Sequence, residues 1–470
     1  MRLKKQTLLA VFMLLCLSTS TFAQYYPRST YFMENLPTRN KLNPAFRPDR
    51  GYFNVPVFGS FGASVASNAL SVNNFTDIMD DENSFLDNPK FMNRLKTDNT
   101  LNMDLGTDIL SFGFYSGKGF WTVDLGVKVM VNTSIPKTMF EFARDADKID
   151  LEHIPNFNIR NMQLYGDIYG ELAVGYSRPI TEKLTVGGKL KVLLGAANFN
   201  AKIEQLQLQA NGNVWNVTTK GEMNLSMKGL ELTNGEDENG EEYISDVDFD
   251  SPGISGFGLG ADLGATYQLL DNLCLSASII DLGFIKWNGS STSSYIANQQ
   301  HTYDPYGDYG DFPDLDIDGD GVVDEKDLEA WKNEYSGSVD IFDMDLFQFK
   351  ETASKKRTTT LRSTLNIGAE YTILNNKIGF GLLSTTRFIL PKAFTELMVS
   401  ANFRPARWFE GTVSYSFIHS NFKTFGLGMK FGPLFIGTDY MITKGFNTLQ
   451  TANAYLGISV PLGKKKPANS

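Results

Sequence analysis

The stretch Trp121-Thr122-Val123-Asp124-Leu125-Gly126-Val127-Lys128-Val129 sets apolar side chains at every second position, with polar, small or charged ones between them. Successive side chains of a strand point to opposite faces, so this segment has one greasy and one wet face when extended. A soluble sandwich could supply one such strand. The pattern recurs, however, between about Phe53 and Leu462. Further strands start near Ile109, Phe120, Leu164, Leu184, Phe257, Leu273, Leu361, Ile378, Phe394, Trp408, Lys423, Leu434 and Asn453. With charge in the inward register and aromatics near strand ends, about fourteen such segments predict an all-β fold, a transmembrane antiparallel β-barrel.

The connections support that reading. Short ones (Ser116 to Gly119, Arg178 to Lys183, Leu269 to Asn272, Leu374 to Lys377, Arg404 to Arg407, Gly432-Pro433) alternate with longer ones that include 131–160, 197–255 and 288–357. Short periplasmic turns and long outer loops alternate in this way in outer-membrane barrels, and parity then puts both chain ends in the periplasm. The inward register carries Asp124, Lys128, Glu171, Lys189, Lys191, Asp262, Glu370, Glu396, Glu410 and Lys430. Both signs are present, which predicts an internally paired lumen.

Composition agrees. Glycine (42 residues) and aromatics (13%) are plentiful while mean hydropathy is −0.20, as expected when only every second strand residue meets lipid. A net charge of −10 speaks against a nucleic-acid partner. Arg2, Lys4 and Lys5, the apolar run Leu8 to Leu17 and the Thr21-Phe22-Ala23 site read as a signal peptide over 1–23. Its removal leaves Cys274 as the one thiol, with no disulfide and no zinc spacing. The expected address is the outer membrane of a Gram-negative cell.

The remaining divisions are an N-terminal periplasmic or plug segment (24–50), the barrel (51–463) and a basic tail (464–470) that contains Lys464, Lys465 and Lys466. Tyr455-x-Gly457-x-x-Val460-x-Leu462 resembles the C-terminal signal read by the barrel-assembly machinery, an expected partner together with outer-membrane lipid. Helices are expected around Asn88 to Leu95 and over Lys137 to Lys148, both outside the strand pattern.

One motif carries sharp chemistry. In the 288–357 outer insertion, residues 316–327 read Asp-Ile-Asp-Gly-Asp-Gly-Val-Val-Asp-Glu-Lys-Asp. This matches an EF-hand-like calcium loop. Asp316, Asp318 and Asp320 offer side-chain oxygens, Val322 a carbonyl, Asp324 a direct or water-mediated ligand, and Asp327 the closing carboxylate. Gly321 supplies the freedom for the sharp turn at the sixth position. A register starting at Asp314 also fits, but it puts Gly321 where an apolar anchor belongs. The expected cofactor is a structural Ca2+ that orders the loop. His153, His301 and His419 are scattered, and Gly256-x-Gly258-x-Gly260 follows the strand period, so no catalytic residues are assigned and an enzyme is not expected.

The segments Lys41-Leu42-Asn43-Pro44-Ala45-Phe46-Arg47-Pro48, Val55-Pro56-Val57-Phe58-Gly59 and Asp281-Leu282-Gly283-Phe284 resemble a Bacteroidota outer-membrane barrel family of unknown function. More distantly, Asn43-Pro44-Ala45 resembles the N-terminal motif of FadL-type long-chain fatty-acid channels and of the related type IX secretion barrel. That resemblance implies an N-terminal plug inside a fourteen-stranded barrel. It also implies passage of a small apolar or amphipathic ligand. The alternative is a non-conducting binding or scaffold barrel whose partners are proteins of a secretion or surface-attachment system.

Overall fold

The computed structural model describes residues 27–69, 88–145, 156–211, 214–236, 240, 242–249, 253–303, 346–352, 356–389, 392–419, 422–441 and 451–463. The signal peptide, the calcium loop with Asp316, Asp318, Asp320, Val322, Asp324 and Asp327, and the basic tail lie outside the described residues.

The wall has fourteen strands. They are β1 (Gly51–Asn54 continued by Phe61–Ser67), β2 (Asp98–Ser116), β3 (Gly119–Pro136), β4 (Asn156–Pro179), β5 (Leu184–Asn211), β6 (Gly256–Leu270) and β7 (Leu273–Trp287). The other half comprises β8 (Arg357–Thr360 continued by Thr364–Ile373), β9 (Ile378–Ile389), β10 (Lys392–Ala406), β11 (Phe409–His419), β12 (Phe422–Phe431), β13 (Leu434–Met441) and β14 (Thr451–Leu462). Every neighbouring pair is antiparallel. The sheet closes because β1 bonds β2 on one side and β14 on the other, with Gly51 opposite Leu462 and Phe61 opposite Leu456. Closure removes the edges that an open sheet of this size would leave unpaired.

The faces follow the alternation. Phe257, Leu259 and Leu263 of β6 are exposed, whereas Gly258, Gly260 and Asp262 are buried. All ten charged residues expected to face inward do so; nine are buried and Glu370 is nearly so. The outer surface is thus apolar and the interior polar, the reverse of a water-soluble core. Near the short turns, exposed aromatics pair up: Trp121 with Tyr176 (ring centroids 4.7 Å) and Trp408 with Phe431 (5.0 Å).

The structure departs from the sequence reading at the long-loop end. β2 begins at Asp98, not near Ile109: its polar first half, with Asn102 and Asp104 on one face, still pairs through its backbone with β1 and β3. Much of 197–255 and 288–303 is also strand. Above residue 196, β5 leaves β6 and pairs instead with Val214–Met227, which pairs with Thr292–Tyr303. This outer sheet has its own apolar layer, where Phe142, Ile159, Leu206, Val217 and Leu346 pack together. One face of those strands meets protein and not the outer surface, so their apolar side chains sit where a loop was expected. The helices appear as α1 (Pro89–Arg94), capped by Asn88 Oδ1 accepting from the Lys90 amide at 3.0 Å, and α2 (Lys137–Asp145).

Phe142 is fully buried between α2 and the outer sheet. Phe142→Ala is expected to destabilise that layer by about 3–5 kcal/mol. Faster amide exchange should then appear in 137–145 and 203–223, while the compact gel migration of the unheated barrel is unchanged. Loss of the compact form would mean that the outer layer and the wall are one cooperative unit.

Candidate functional site

The candidate site is the lumen, which the chain itself fills. Residues 27–50 contain two 3-10 turns (Arg28–Thr30 and Pro37–Lys41) and are buried almost throughout. These short turns leave many backbone groups without a partner of their own, and each buried group needs one. The wall supplies them. Glu410 of β11 accepts from the amides of Glu34 and Asn35, both at 2.8 Å. Asp439 of β13 accepts from those of Arg28 (2.9 Å) and Ser29 (2.8 Å). Ser278 and Asn366 donate to the Leu42 carbonyl at 2.6 and 3.1 Å.

The path of the segment follows from these contacts. Arg28 pairs with Glu396 and lies beside Asp439, both near the long-loop ends of their strands. Glu34 meets Arg404 at the short-turn end, and Tyr115 donates to the Pro48 carbonyl beside the 116–119 turn. Parity puts both ends of the wall, the start of β1 and the end of β14, at the short-turn side. Leu462 is there, opposite Gly51, whereas the first described residues sit in the other half of the lumen.

Asn43, Pro44 and Ala45 form a tight turn against the wall. Asn43 Oδ1 accepts from the Ala45 amide (2.9 Å), and Asn43 Nδ2 donates to the carbonyls of Ala277 (3.3 Å) and Ala265 (3.4 Å). The turn lies so close that a Cβ at Gly187 would strike the Pro44 carbonyl, and one at Gly264 would strike the Asn43 side chain. Two wall glycines thus make the seat of this turn.

Around it runs a network of buried charges. Lys41 pairs with Asp108; Lys189 bonds Asp124 (2.8 Å) and Asn40 (3.0 Å), and Ser111 donates to Asp124 at 2.6 Å. Lys128 lies 2.9 Å from Glu171 and 3.0 Å from Asp281, and Lys191 lies 2.7 Å from Asp262 and 2.6 Å from Asp281. A cavity of about 20 Å³ between these groups has room for one water. At the short-turn end Arg404 faces Glu34 (3.2 Å), Glu410 (3.1 Å) and Glu370. Opposite signs meet within each of these groups, so none of them carries a dominant charge.

Sequence reasoning missed Asp281 and Asp108. Plain alternation turns Asp281 outward, but β6 and β7 slip register between Ala261 and Leu263, and Asp281 takes a φ of 57°. That bulge re-aims its carboxylate into the lumen. A second slip, between Asp108 and Leu110, does the same for Asp108. A lone carboxylate in an outward apolar register was the available signal. Cys274 is half-buried and reduced. Among the described residues, no group of three or more His, Cys, Asp or Glu side chains is arranged to hold a metal.

The model of a family described as "Family of unknown function (DUF5723)" matches residues 44–439. No curated protein matches the chain. Among solved structures, it is similar to the toluene transporter TodX of Pseudomonas putida, at 11% identity over 95% of this chain and 96% of that one, with a TM-score of 0.35. It is also similar to the translocator domain of the autotransporter NalP from Neisseria meningitidis (7% identity, 94% and 100% covered, TM-score 0.34). A Pseudomonas aeruginosa FadL homologue matches at 8% identity, with 94% and 95% covered and a TM-score of 0.30.

Removing one partner of a buried ion pair strands the other charge. Lys41→Met is therefore expected to cost about 3–5 kcal/mol, and Lys41→Met/Asp108→Asn to recover most of it. Urea unfolding of the four members of this cycle in lipid vesicles measures the coupling. Additive effects of the two substitutions would mean that the pair does not hold the segment.

Proposed function

This chain belongs to the DUF5723 family of unknown function, and we propose that it is an outer-membrane barrel whose N-terminal segment plugs a conduit for a small amphipathic or apolar ligand. The observation that carries this reading is how the lumen is filled. Residues 27–50 are held by side-chain contacts alone and contribute no strand to the wall, so they can move while the fourteen-strand ladder stays intact. The apolar outer surface, with paired aromatics near the short turns, suits a membrane environment.

Energetics favour a movable plug. A buried ion pair contributes little net stability, because desolvation offsets most of the attraction. Admitting water as the segment shifts resolvates Lys41, Asp108, Glu34 and Arg404 and recovers much of that cost. Displacement also uncovers Ile280, Leu383 and Met398, wall residues that pack on Tyr31, Phe32, Leu42 and Phe46. They adjoin Ser278 and Asn366, which would lose the Leu42 carbonyl. An apolar patch beside freed donors suits an amphipathic ligand, the class implied by the resemblance of Asn43-Pro44-Ala45 to FadL-type channels.

The second reading, a scaffold barrel without solute flux, draws on the outer sheet. Its separate core gives a folded platform at the long-loop end, a surface that a secretion or attachment partner can use. Beside it, we propose that the 316–327 loop binds a structural Ca2+ through Asp316, Asp318, Asp320, Val322, Asp324 and Asp327.

Planar-bilayer recording separates the two readings. Intact protein should be closed, and a variant lacking residues 25–50 should conduct. A deletion variant that inserts but never conducts, while the intact chain co-purifies with surface or periplasmic proteins, favours the scaffold. For the metal, calorimetric titration of the whole protein should give one site with a Kd of about 10⁻⁴–10⁻³ M. Asp316→Ala/Asp320→Ala should abolish it, and an unchanged titration would overturn the site.

A further inference from the structure

Every other buried lysine of the lumen lies within ion-pair distance of a carboxylate: Lys41, Lys128, Lys189 and Lys191. Lys430 does not. It is 7% exposed, and its ammonium donates to the Arg407 carbonyl at 3.1 Å. Among the described residues no carboxylate oxygen lies within ion-pair distance of it. Glu410 sits directly across the β11–β12 register, but its oxygens are committed to Arg404 and to the amides of Glu34 and Asn35. A buried ammonium with unused donors is costly unless something anionic approaches it.

Lys430 opens onto a groove of about 450 Å³ at the short-turn rim, between the N-terminal segment and β11–β14. Arg50 and Arg407 line the same groove. Arg50 has no carboxylate partner among the described residues, and Arg407 reaches Asp49 at only 3.9 Å, with both side chains largely exposed. Three cations therefore line one space against a single carboxylate, that of Asp49, which leaves the groove with a net positive lining. Its outer side is apolar: Trp408 is 57% exposed at one end of the groove, and Val460 of β14 is exposed at the other. An exposed Trp at a rim marks the level where head groups meet acyl chains.

We propose that this groove seats the phosphate of an anionic phospholipid from the leaflet that faces the short turns, with its acyl chains along Trp408 and Val460. The proposal rests on the membrane reading above. An acidic peptide would satisfy the same cations but gains nothing from an apolar flank that opens to the outer surface. Lipid phosphate uses both features, and each cation near a membrane surface contributes to such binding.

The full-length protein, reconstituted in nanodiscs of equal phosphatidylglycerol and phosphatidylcholine and then released for native mass spectrometry, tests this. The intact chain should retain phosphatidylglycerol preferentially. Lys430→Met/Arg407→Gln should lower that retention on the order of tenfold, and Lys183→Gln, on a different short turn, should not change it. Compact migration of the unheated protein verifies that each barrel is closed; if the double variant fails to close, Arg50→Gln carries the same expectation. Equal retention of the two lipids, retention unaffected by the variants, or complete displacement by inorganic phosphate or an acidic peptide would overturn the proposal. Failure to enter nanodiscs would instead count against the membrane reading, since insertion is scored separately from lipid preference.

Discussion

A closed strand wall with a polar inside must either flood its interior or pair it. This chain pairs it, and the rest of the architecture depends on that choice. The inward register of every strand carries polar or charged groups because alternation leaves the apolar set outside. Buried without partners, those groups would each cost several kcal/mol. The N-terminal segment resolves the difficulty from within. Its backbone amides satisfy Glu410 and Asp439, its Leu42 carbonyl satisfies Ser278 and Asn366, and its Lys41 satisfies Asp108.

Those contacts are unevenly specific. Glu410 and Asp439 hold backbone, so many sequences could occupy that part of the lumen. The Asn43-Pro44-Ala45 turn is different, because it must lie flush against Gly187 and Gly264. Close packing thus specifies that turn, where polar contacts specify the rest less narrowly. The segment is thus anchored by one fitted turn, by polar contacts to its backbone and by the apolar packing of Tyr31, Phe32, Leu42 and Phe46 on the wall, and it adds no strand to the ladder.

The two bulges have a related role. A fully regular strand offers side chains at fixed intervals on fixed faces, too coarse a grid to bring both Asp262 and Asp281 onto Lys191. Slipping one residue in β7 supplies the missing carboxylate, and the left-handed φ of Asp281 records that local adjustment.

How much was legible beforehand follows from the range of the forces involved. Alternation is local, so the stretch around Trp121 and its thirteen counterparts determined the strand count, the faces and the ten inward charges. Helix-forming composition is local too, and the α1 and α2 helices were foreseen near their observed bounds. Which inward charge meets which depends on register slips, on how a segment far off in sequence crosses the lumen, and on a long-loop end where strands bury themselves in a second protein layer. None of these leaves a periodic trace. The sequence by itself determined a barrel wall and its polarity; only the tertiary structure decided what fills it, because pairing of buried charge is settled across space and not along the chain.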